Sequence, residues 1–365
     1  MNTFFKLMNK DSVVLDFTIC RNFYTLNFNI TKVYDNKQIP LSIKSGFYDL
    51  RSWLESRYIL SYRTDTINFF TNLGISNIEE FIIITKCISL NDTFWVKPMN
   101  SGVSWKSVSP YTNPINKIIS DYSFNNKIGN KNIGSSPDFS TDGNFPKCWK
   151  RIKGKTYLIK AGSSGAYNAG NESYSEIFAY QLEEFLGLNS IKYEFINYKG
   201  LDSSKCELIC NENFGLLSLR QYTGVSNTDF KYLVENFNCK QIHQMLVLDY
   251  LLCNTDRHFG NIWLLVENHT QRVISFSPIG DNNLSCIPYY TDEEDLIYYI
   301  NDIRAKDDRK WLELISLADT GVAKEMLLKA KNFEFKPIGN KKADKRVPIL
   351  NKMLKYQIRE GLKLW

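Results

Sequence analysis

The 365-residue sequence is poor in the residues that mark several common protein classes. It holds three histidines, and its eight cysteines are scattered: the one close pair, Cys206 and Cys210, has no second pair and no histidines at zinc-finger spacing. A zinc finger is thereby excluded, and the cysteines are expected to be reduced core thiols of a cytoplasmic protein. No N-terminal hydrophobic segment reaches the form of a signal peptide or a membrane span, because Lys6, Lys10 and Asp11 interrupt it, so no membrane partner is expected. No helix-turn-helix, finger or base-stacking platform is recognisable, which argues against nucleic-acid binding as a primary function. Glycine is sparse where a nucleotide loop would need it, and neither G-x-G-x-x-G nor the Walker pattern G-x-x-x-x-G-K-[ST] occurs.

The net charge of +6 is unevenly spread: residues 321–365 carry twelve Lys or Arg against four Asp or Glu, so +8 lies there and −2 over the rest. Such a basic C-terminal face would suit nucleic acid or an acidic partner, but charged terminal helices are more often simply solvated.

What is present is concentrated in one stretch. The run Asn254-Thr255-Asp256-Arg257-His258-Phe259-Gly260-Asn261 precedes an apolar strand, and further on stands the turn Ile279-Gly280-Asp281-Asn282. Phosphoryl transfer needs a carboxylate to orient the attacking hydroxyl and take its proton, and oxygen ligands to hold Mg²⁺ against ATP. An Asp followed five residues later by an Asn supplies both. The protein-kinase pattern H-R-D-L-x-x-x-N keeps the same interval, and its Asn leads into the segment that ends at a metal-binding Asp. Here Ile262–Val266, the turn-prone Glu267-Asn268-His269 and Arg272–Phe276 read as a hairpin, which puts Asp281 just past its second strand. Upstream, Ile242, Met245, Leu246, Val247 and Tyr250 to Leu252 form a helical stripe that would deliver Asn254 to the end of a buried helix. Alone, Asp256-Arg257-His258 would read as a loop salt bridge; with Asn261, the hairpin and Asp281 in place the catalytic reading is preferred. His258 is expected to pack under the loop and fix the Asp256 backbone rather than to bind metal or act as a base.

A phosphate cradle is sought upstream. Ser140-Thr141-Asp142-Gly143-Asn144-Phe145-Pro146-Lys147 is small and polar around one glycine, and is followed by Cys148–Arg151, a turn at Lys153-Gly154-Lys155 and the strand Thr156–Lys160. A surface hairpin is the plain alternative. A lysine ending an apolar strand can reach the α and β phosphates, and a helix bearing a carboxylate should follow to pair with it. The spacing predicts that helix over Glu172–Leu186, with Asn171 as N-cap and a stop at Gly187. Glu176, one turn inside, is the expected partner of Lys160, while Glu172 complements the helix dipole. The glycine-rich run from Ala161 to Gly170 reads as a flexible connection into the helix. Cys206-Glu207-Leu208-Ile209-Cys210 with Asn211-Glu212-Asn213 resembles the strand and connector between kinase lobes, where backbone groups at Cys210 and Glu212 would bind adenine; a buried edge strand is equally plausible.

These residues resemble the HipA-like serine/threonine kinases, whose best-studied members are toxins of bacterial toxin–antitoxin pairs. Asn254-Thr255-Asp256-Arg257-His258 to Asn261 is similar to that family's N-x-D-R-H-x-x-N motif, and Ser140 to Lys147 is similar to its S-x-x-G-x-x-x-K loop. Tyr157 to Lys160 with Glu176 and Leu186-Gly187 is similar to its lysine strand and glutamate helix. The resemblance implies an α+β, two-lobed protein-kinase-like fold with a small β-rich lobe and a large helical lobe. It implies Mg²⁺ and ATP as cofactors, a protein Ser or Thr as acceptor, and an antitoxin or regulator as a partner. Residue by residue it implies Asp256 as catalytic base, Asn261 and Asp281 as metal ligands, Lys160 and Glu176 as the phosphate clamp, Ser140, Thr141, Gly143 and Lys147 as the phosphate loop, and Ser140 as an autophosphorylation site.

The expected organisation is an accessory α/β region over residues 1–122, a small lobe over 123–210 and a large lobe over 211–365. In the accessory region Ser12–Phe17 and Tyr24–Ile30 read as strands, Asn77–Leu90 as a helix or buried strand, and Leu90–Val96 as carrying an aromatic pair. Its role is packing of the small lobe or recognition of a partner. Asn125–Pro137 reads as a linker, and residues beyond 292 as mostly helix. D-R-H-x-x-N followed by a metal Asp occurs in phosphoinositide kinases too, although the length leaves little room for membrane-targeting modules. A silent kinase fold that binds nucleotide or a partner, and a kinase fold that transfers AMP, are the remaining alternatives.

Overall fold

A computed structural model gives the structure of the chain and describes residues 2–22, 25–57, 70, 74–125, 135–141, 145–290 and 295–365. The chain divides into two compact units that it enters several times. The first comprises Met1–Ile159, Leu208–Gly224 and Trp263–Ser277; the second comprises Lys160–Glu207, Val225–Ile262 and Pro278–Trp365.

The first unit is rich in strands. Strands β1 (Asn2–Asn9), β2 (Ser12–Arg21), β3 (Leu26–Val33) and β4 (Phe94–Pro98) form an antiparallel sheet in the order β3-β2-β1-β4. Phe5, Leu7, Val14, Leu15, Phe17 and Ile19 are buried beneath it and pack with Trp53, Phe81, Phe94, Val96 and Phe139. The expected strand at Ser12–Phe17 lies within β2. That expected over Tyr24–Ile30 is β3, which is mostly exposed, with Leu26 and Phe28 packed partly against the core; Tyr24 lies outside the described residues. The Asn77–Leu90 segment resolves as a helix over Ile78–Thr85, because the Asn77 side chain caps it by accepting from Glu80 N. Of the expected aromatic pair in β4, Phe94 joins the main core and Trp95 a smaller cluster with Met8, Ile88 and Trp105. Most of the expected linker, residues 126–134, lies outside the described residues.

Strands β5 (Lys147–Ile152) and β6 (Lys155–Ala161) are neighbours joined by Lys153 and Gly154, both left-handed at φ 49° and 81°. Two positive φ values suit the tight primed turn that matches strand twist. The last two residues of β6, Lys160 and Ala161, belong to the second unit. There, β7 (Tyr193–Tyr198) and β8 (Leu201–Glu207) form an antiparallel hairpin closed the same way at Lys199-Gly200, with φ 51° and 83°. In the first unit β9 (Phe214–Ser218), β10 (Trp263–Glu267) and β11 (Arg272–Phe276) make an antiparallel sheet in the order β11-β10-β9. The expected hairpin after Asn261 is therefore present, with β9 added to its edge.

Helices dominate the second unit. The helix Glu172–Leu186 has the expected bounds, and Gly187 ends it in the left-handed conformation at φ 73°. Helix Lys240–Leu252 is buried on every side from Met245 onward, and it packs against helices Thr320–Ala330 and Val347–Leu362. A helix buried on every side is a rigid base for the loop that follows it. The C-terminal region is mostly helical, as expected. No helix among the described residues is long and apolar enough to cross a membrane.

Candidate active site

The loop after helix Lys240–Leu252 starts from a left-handed residue, Cys253 at φ 52°. Buried Asn254 then bonds in both directions: its Nδ2 donates to Asp249 Oδ1 at 2.9 Å and its Oδ1 accepts from Asp256 N at 3.0 Å. At the other end Asn261 Nδ2 donates to Asp256 O at 3.0 Å, and His258 N donates to the same carbonyl at 2.8 Å. Asp256 thus has its main chain clamped by two asparagine side chains. Its carboxylate is left at the edge of the unit, 24% exposed, with Lys306 Nζ at 2.6 Å from Oδ1 and His258 Nε2 at 3.9 Å from Oδ2. Backbone fixation is shared by the Asn254 and Asn261 side chains and the His258 main-chain N–H, while the His258 imidazole stands beside the carboxylate.

Arg257 points the opposite way and is fully buried. Its Nε donates to Asp249 Oδ2 at 3.0 Å and its Nη2 to Asp249 Oδ1 at 3.1 Å, a bidentate pair. Nη1 donates to Gly280 O at 2.6 Å and reaches Asn261 O at 3.5 Å, and Nη2 also donates to Asn282 Oδ1. One guanidinium therefore ties the Asp256–Asn261 loop to the Gly280–Asn282 loop. Arg257 thus pairs with Asp249 of the preceding helix, whereas the Asp256 carboxylate meets Lys306.

Lys160 Nζ donates to Glu176 Oε1 at 3.0 Å and to Asp281 Oδ1 at 2.8 Å. Burial alone would lower the lysine pKa; the Asp281 and Glu176 carboxylates outweigh it and hold the ammonium well above its usual range. Glu176 Oε2 accepts from Asn282 N at 2.8 Å, and Tyr193 Oη accepts from Asp281 N at 3.1 Å. Asp281 itself is left-handed at φ 59°, a conformation uncommon for Asp, and is held there by those bonds on both sides of it. Beneath, Asn282 Nδ2 donates to Glu183 Oε1 at 2.7 Å, and burial pushes the Glu183 carboxyl up to about 8.

The start of the glutamate helix differs from expectation. Asn171 occupies the N-cap position but makes no capping bond; its Nδ2 donates instead to Asn168 O and Pro288 O. Glu172 is buried and accepts from Ser163 N at 3.1 Å and Tyr289 Oη at 2.8 Å, so it anchors the glycine-rich run as well as standing in the first turn. A Cβ at Gly162 would lie 2.5 Å from Glu172 Oε2 and 2.6 Å from Gly170 Cα, so close packing requires glycine there.

Lys160, Glu176, Asp256, Asn261 and Asp281 all lie in the second unit, whereas Ser140, Thr141, Lys147, Cys210 and Glu212 lie in the first. Ser140 ends a 3₁₀ turn over Pro137–Ser140; its Oγ donates to Pro137 O at 2.8 Å and is hydrogen-bonded with Ser89 Oγ at 3.0 Å. Thr141 Oγ1 donates to Asp138 O at 2.8 Å, Lys147 opens β5, and Gly143 lies outside the described residues. Cys210 is buried, and Glu212 Oε1 accepts from Trp105 Nε1 at 2.8 Å and Ser109 Oγ at 3.1 Å.

The donor set fits Mg²⁺. Asp281 offers carboxylate oxygen, and Asn261, its amide nitrogen spent on Asp256 O, offers a carbonyl oxygen; these are hard ligands. Among the described residues there is no group of three or more His, Cys, Asp or Glu that could hold a metal ion. A cation here would rest on few protein atoms together with phosphate oxygens and water, as Mg²⁺ commonly does. Sequence reasoning missed Asp249, Asn282, Glu183 and Lys306. Asp249 left one signal, a charged residue in the apolar run Met245–Leu252, and Asn282 stood in the turn already singled out; Glu183 and Lys306 left none.

Comparison with known proteins adds the fold. A chain of the Shewanella oneidensis MR-1 toxin–antitoxin complex of HipA, HipB and operator DNA is similar at 13% identity and TM-score 0.59, covering 98% of this chain and 97% of that one. The Helicobacter pylori proinflammatory kinase CtkA is similar over 61% of this chain and 93% of its own, at 16% identity and TM-score 0.46. The golgi casein kinase is similar over 61% and 70%, at 14% identity and TM-score 0.33. The family of phosphatidylinositol 3- and 4-kinases matches residues 191–277. No curated protein matches the sequence. The likeness to the Shewanella chain shows a protein-kinase-like fold, in keeping with the expected mixed α and β class.

Proposed function

We propose that this chain is an ATP-dependent phosphotransferase of the serine/threonine protein kinase type, similar to the HipA-like kinases. The observation that carries the reading is the Lys160 ammonium bridging Glu176 at 3.0 Å and Asp281 at 2.8 Å, in the unit that also presents Asp256. In this reading Asp256 orients the acceptor hydroxyl and takes its proton, Lys160 clamps the phosphates with Glu176 behind it, and Asn261 and Asp281 hold Mg²⁺. Mg²⁺-ATP, when bound, supplies the phosphoryl group and neutralises its charge. Ser140 is the candidate autophosphorylation site, beside Thr141, Gly143 and Lys147 as the phosphate loop; modification would require its Oγ to leave Pro137 O and Ser89. A cytoplasmic location and an antitoxin-like regulator accompany the reading. HipB and operator DNA are companions of the Shewanella protein, and a counterpart for this chain is part of the proposal.

A lipid acceptor is the second reading, favoured by the phosphatidylinositol-kinase match, which spans Asp256 to Asn261. The test sets the protein and its Asp256→Ala variant beside each other with Mg²⁺ and ATP, with and without protein acceptors and phosphoinositide vesicles. A gain of about 80 daltons on protein, in the wild type alone, supports the proposal. Label on lipid alone moves it to the second reading, and a gain of about 329 daltons would mean AMP transfer. ATP binding without transfer to any acceptor would identify a silent kinase fold.

A further inference from the structure

The catalytic loop holds two basic side chains besides Asp256, and neither is a free cation at the reacting atoms. Arg257 is fully buried on Asp249, Gly280 O and Asn282, and His258 lies 3.9 Å from the carboxylate. The positive charge next to Asp256 arrives from elsewhere in the second unit: Lys306 Nζ is 2.6 Å from Asp256 Oδ1, and the lysine side chain is 41% exposed. Its base is firm. Ala305 is buried, Ala305 N donates to Arg309 O at 3.0 Å and Asp308 N to Ala305 O at 3.0 Å, closing a tight turn with Asp308 left-handed at φ 67°. Asp307 pins that turn by accepting from Phe230 N at 3.0 Å and pairing with Arg309. An exposed lysine on a turn closed by these hydrogen bonds, aimed at the Asp256 carboxylate, is more than a surface ion pair, which by itself contributes little to stability.

Resting on the kinase reading above, the geometry points to Lys306 as a further catalytic residue that contacts the phosphoryl group in flight. The acceptor oxygen must lie within about 3 Å of the Asp256 carboxylate to give up its proton, and it is the same oxygen that bonds to phosphorus. As that O–P bond forms, the bond from phosphorus to the bridging oxygen breaks and its electron pair leaves with ADP. The hydroxyl proton passes to Asp256, and Lys306 keeps all of its own. Negative charge on the phosphoryl oxygens then develops within reach of a cation already anchored on the same carboxylate, and such a fixed charge stabilises the transition state. With no nucleotide bound, Lys306 orients the Asp256 carboxylate; with ATP bound, its ammonium is shared with the terminal phosphoryl oxygens.

The test uses the full chain and two variants, Lys306→Met and Lys306→Arg, with transfer rate and the affinities for ATP and ADP measured separately. Lys306→Met is expected to lower kcat about 100-fold with little change in the KM for acceptor, and Lys306→Arg to restore part of it. It should also weaken ATP several-fold more than ADP, since only ATP carries the group that Lys306 touches. A Lys306→Met protein with the wild-type rate, or with an unchanged preference of ATP over ADP, overturns the inference. Failure of the kinase reading looks different: the wild type itself transfers nothing, and the ATP-over-ADP preference of the two proteins then decides for or against Lys306.

Discussion

Arg257→Met should be among the most damaging single changes in the second unit. The side chain leaves behind a fully buried Asp249 carboxylate whose remaining hydrogen bond comes from Asn254 Nδ2, and it strips donors from Gly280 O and Asn282 Oδ1. Breaking a buried ion pair from one side costs about 3–5 kcal/mol, because the surviving charge stays desolvated. For a unit of roughly 170 residues, 1 kcal/mol shifts the melting temperature by about 2–4 °C, so a fall of about 6–20 °C is expected. Differential scanning calorimetry of the full chain measures the fall. Amide exchange then assigns it, since the helix Lys240–Leu252 should lose protection while the β1–β4 sheet keeps its own. Adding Asp249→Asn removes the stranded charge and should recover part of the loss, a coupling that a double-mutant cycle reads directly. A melting point within about 2 °C of wild type, or full additivity of the two changes, would refute the reasoning.

Three further outcomes are expected. Glu183 keeps its proton in the folded chain up to about 8, against a usual value of 4.5, so between those limits the unfolded chain is ionised and the folded one is not. Stability should therefore fall with rising pH by about 1.4 kcal/mol per unit, and Glu183→Gln, which keeps an acceptor for Asn282, should gain on wild type in denaturant titrations from pH 5 to pH 8. Lys160→Met should lower phosphotransfer at least about 100-fold and weaken nucleotide binding, with circular dichroism reporting an intact fold. Gly162→Ala puts a methyl group 2.6 Å from Gly170 Cα, which backbone cannot easily yield; a loss of about 1–3 kcal/mol in thermal or chemical unfolding is expected.

Local chemistry made much of this legible. The helix Glu172–Leu186 announces itself through an apolar period and a terminal glycine, and the hairpin after Asn261 through two short apolar runs around a turn. Both signals operate over a few residues, where spacing alone decides which side chains share a face. The five-residue interval between Asp256 and Asn261 belongs to the same class, since it is set within one turn of chain. Asn171 shows the limit: its position before the helix was readable, whereas its side chain turns away to carbonyls at Asn168 and Pro288, the latter 117 residues distant.

What the sequence determined by itself was therefore the elements with a strong local pattern, such as the helix Glu172–Leu186 and the hairpin after Asn261. What only the tertiary structure decided was which charge meets which. Lys160 finds Asp281 across 121 residues, Arg257 joins Asp249 to the Gly280–Asn282 loop, and Lys306 comes to Asp256 across 50. No local propensity encodes these pairings. They follow from the packing of an apolar helix such as Lys240–Leu252, which fixes where the loops emerge, and from the cost of leaving a buried charge without a partner.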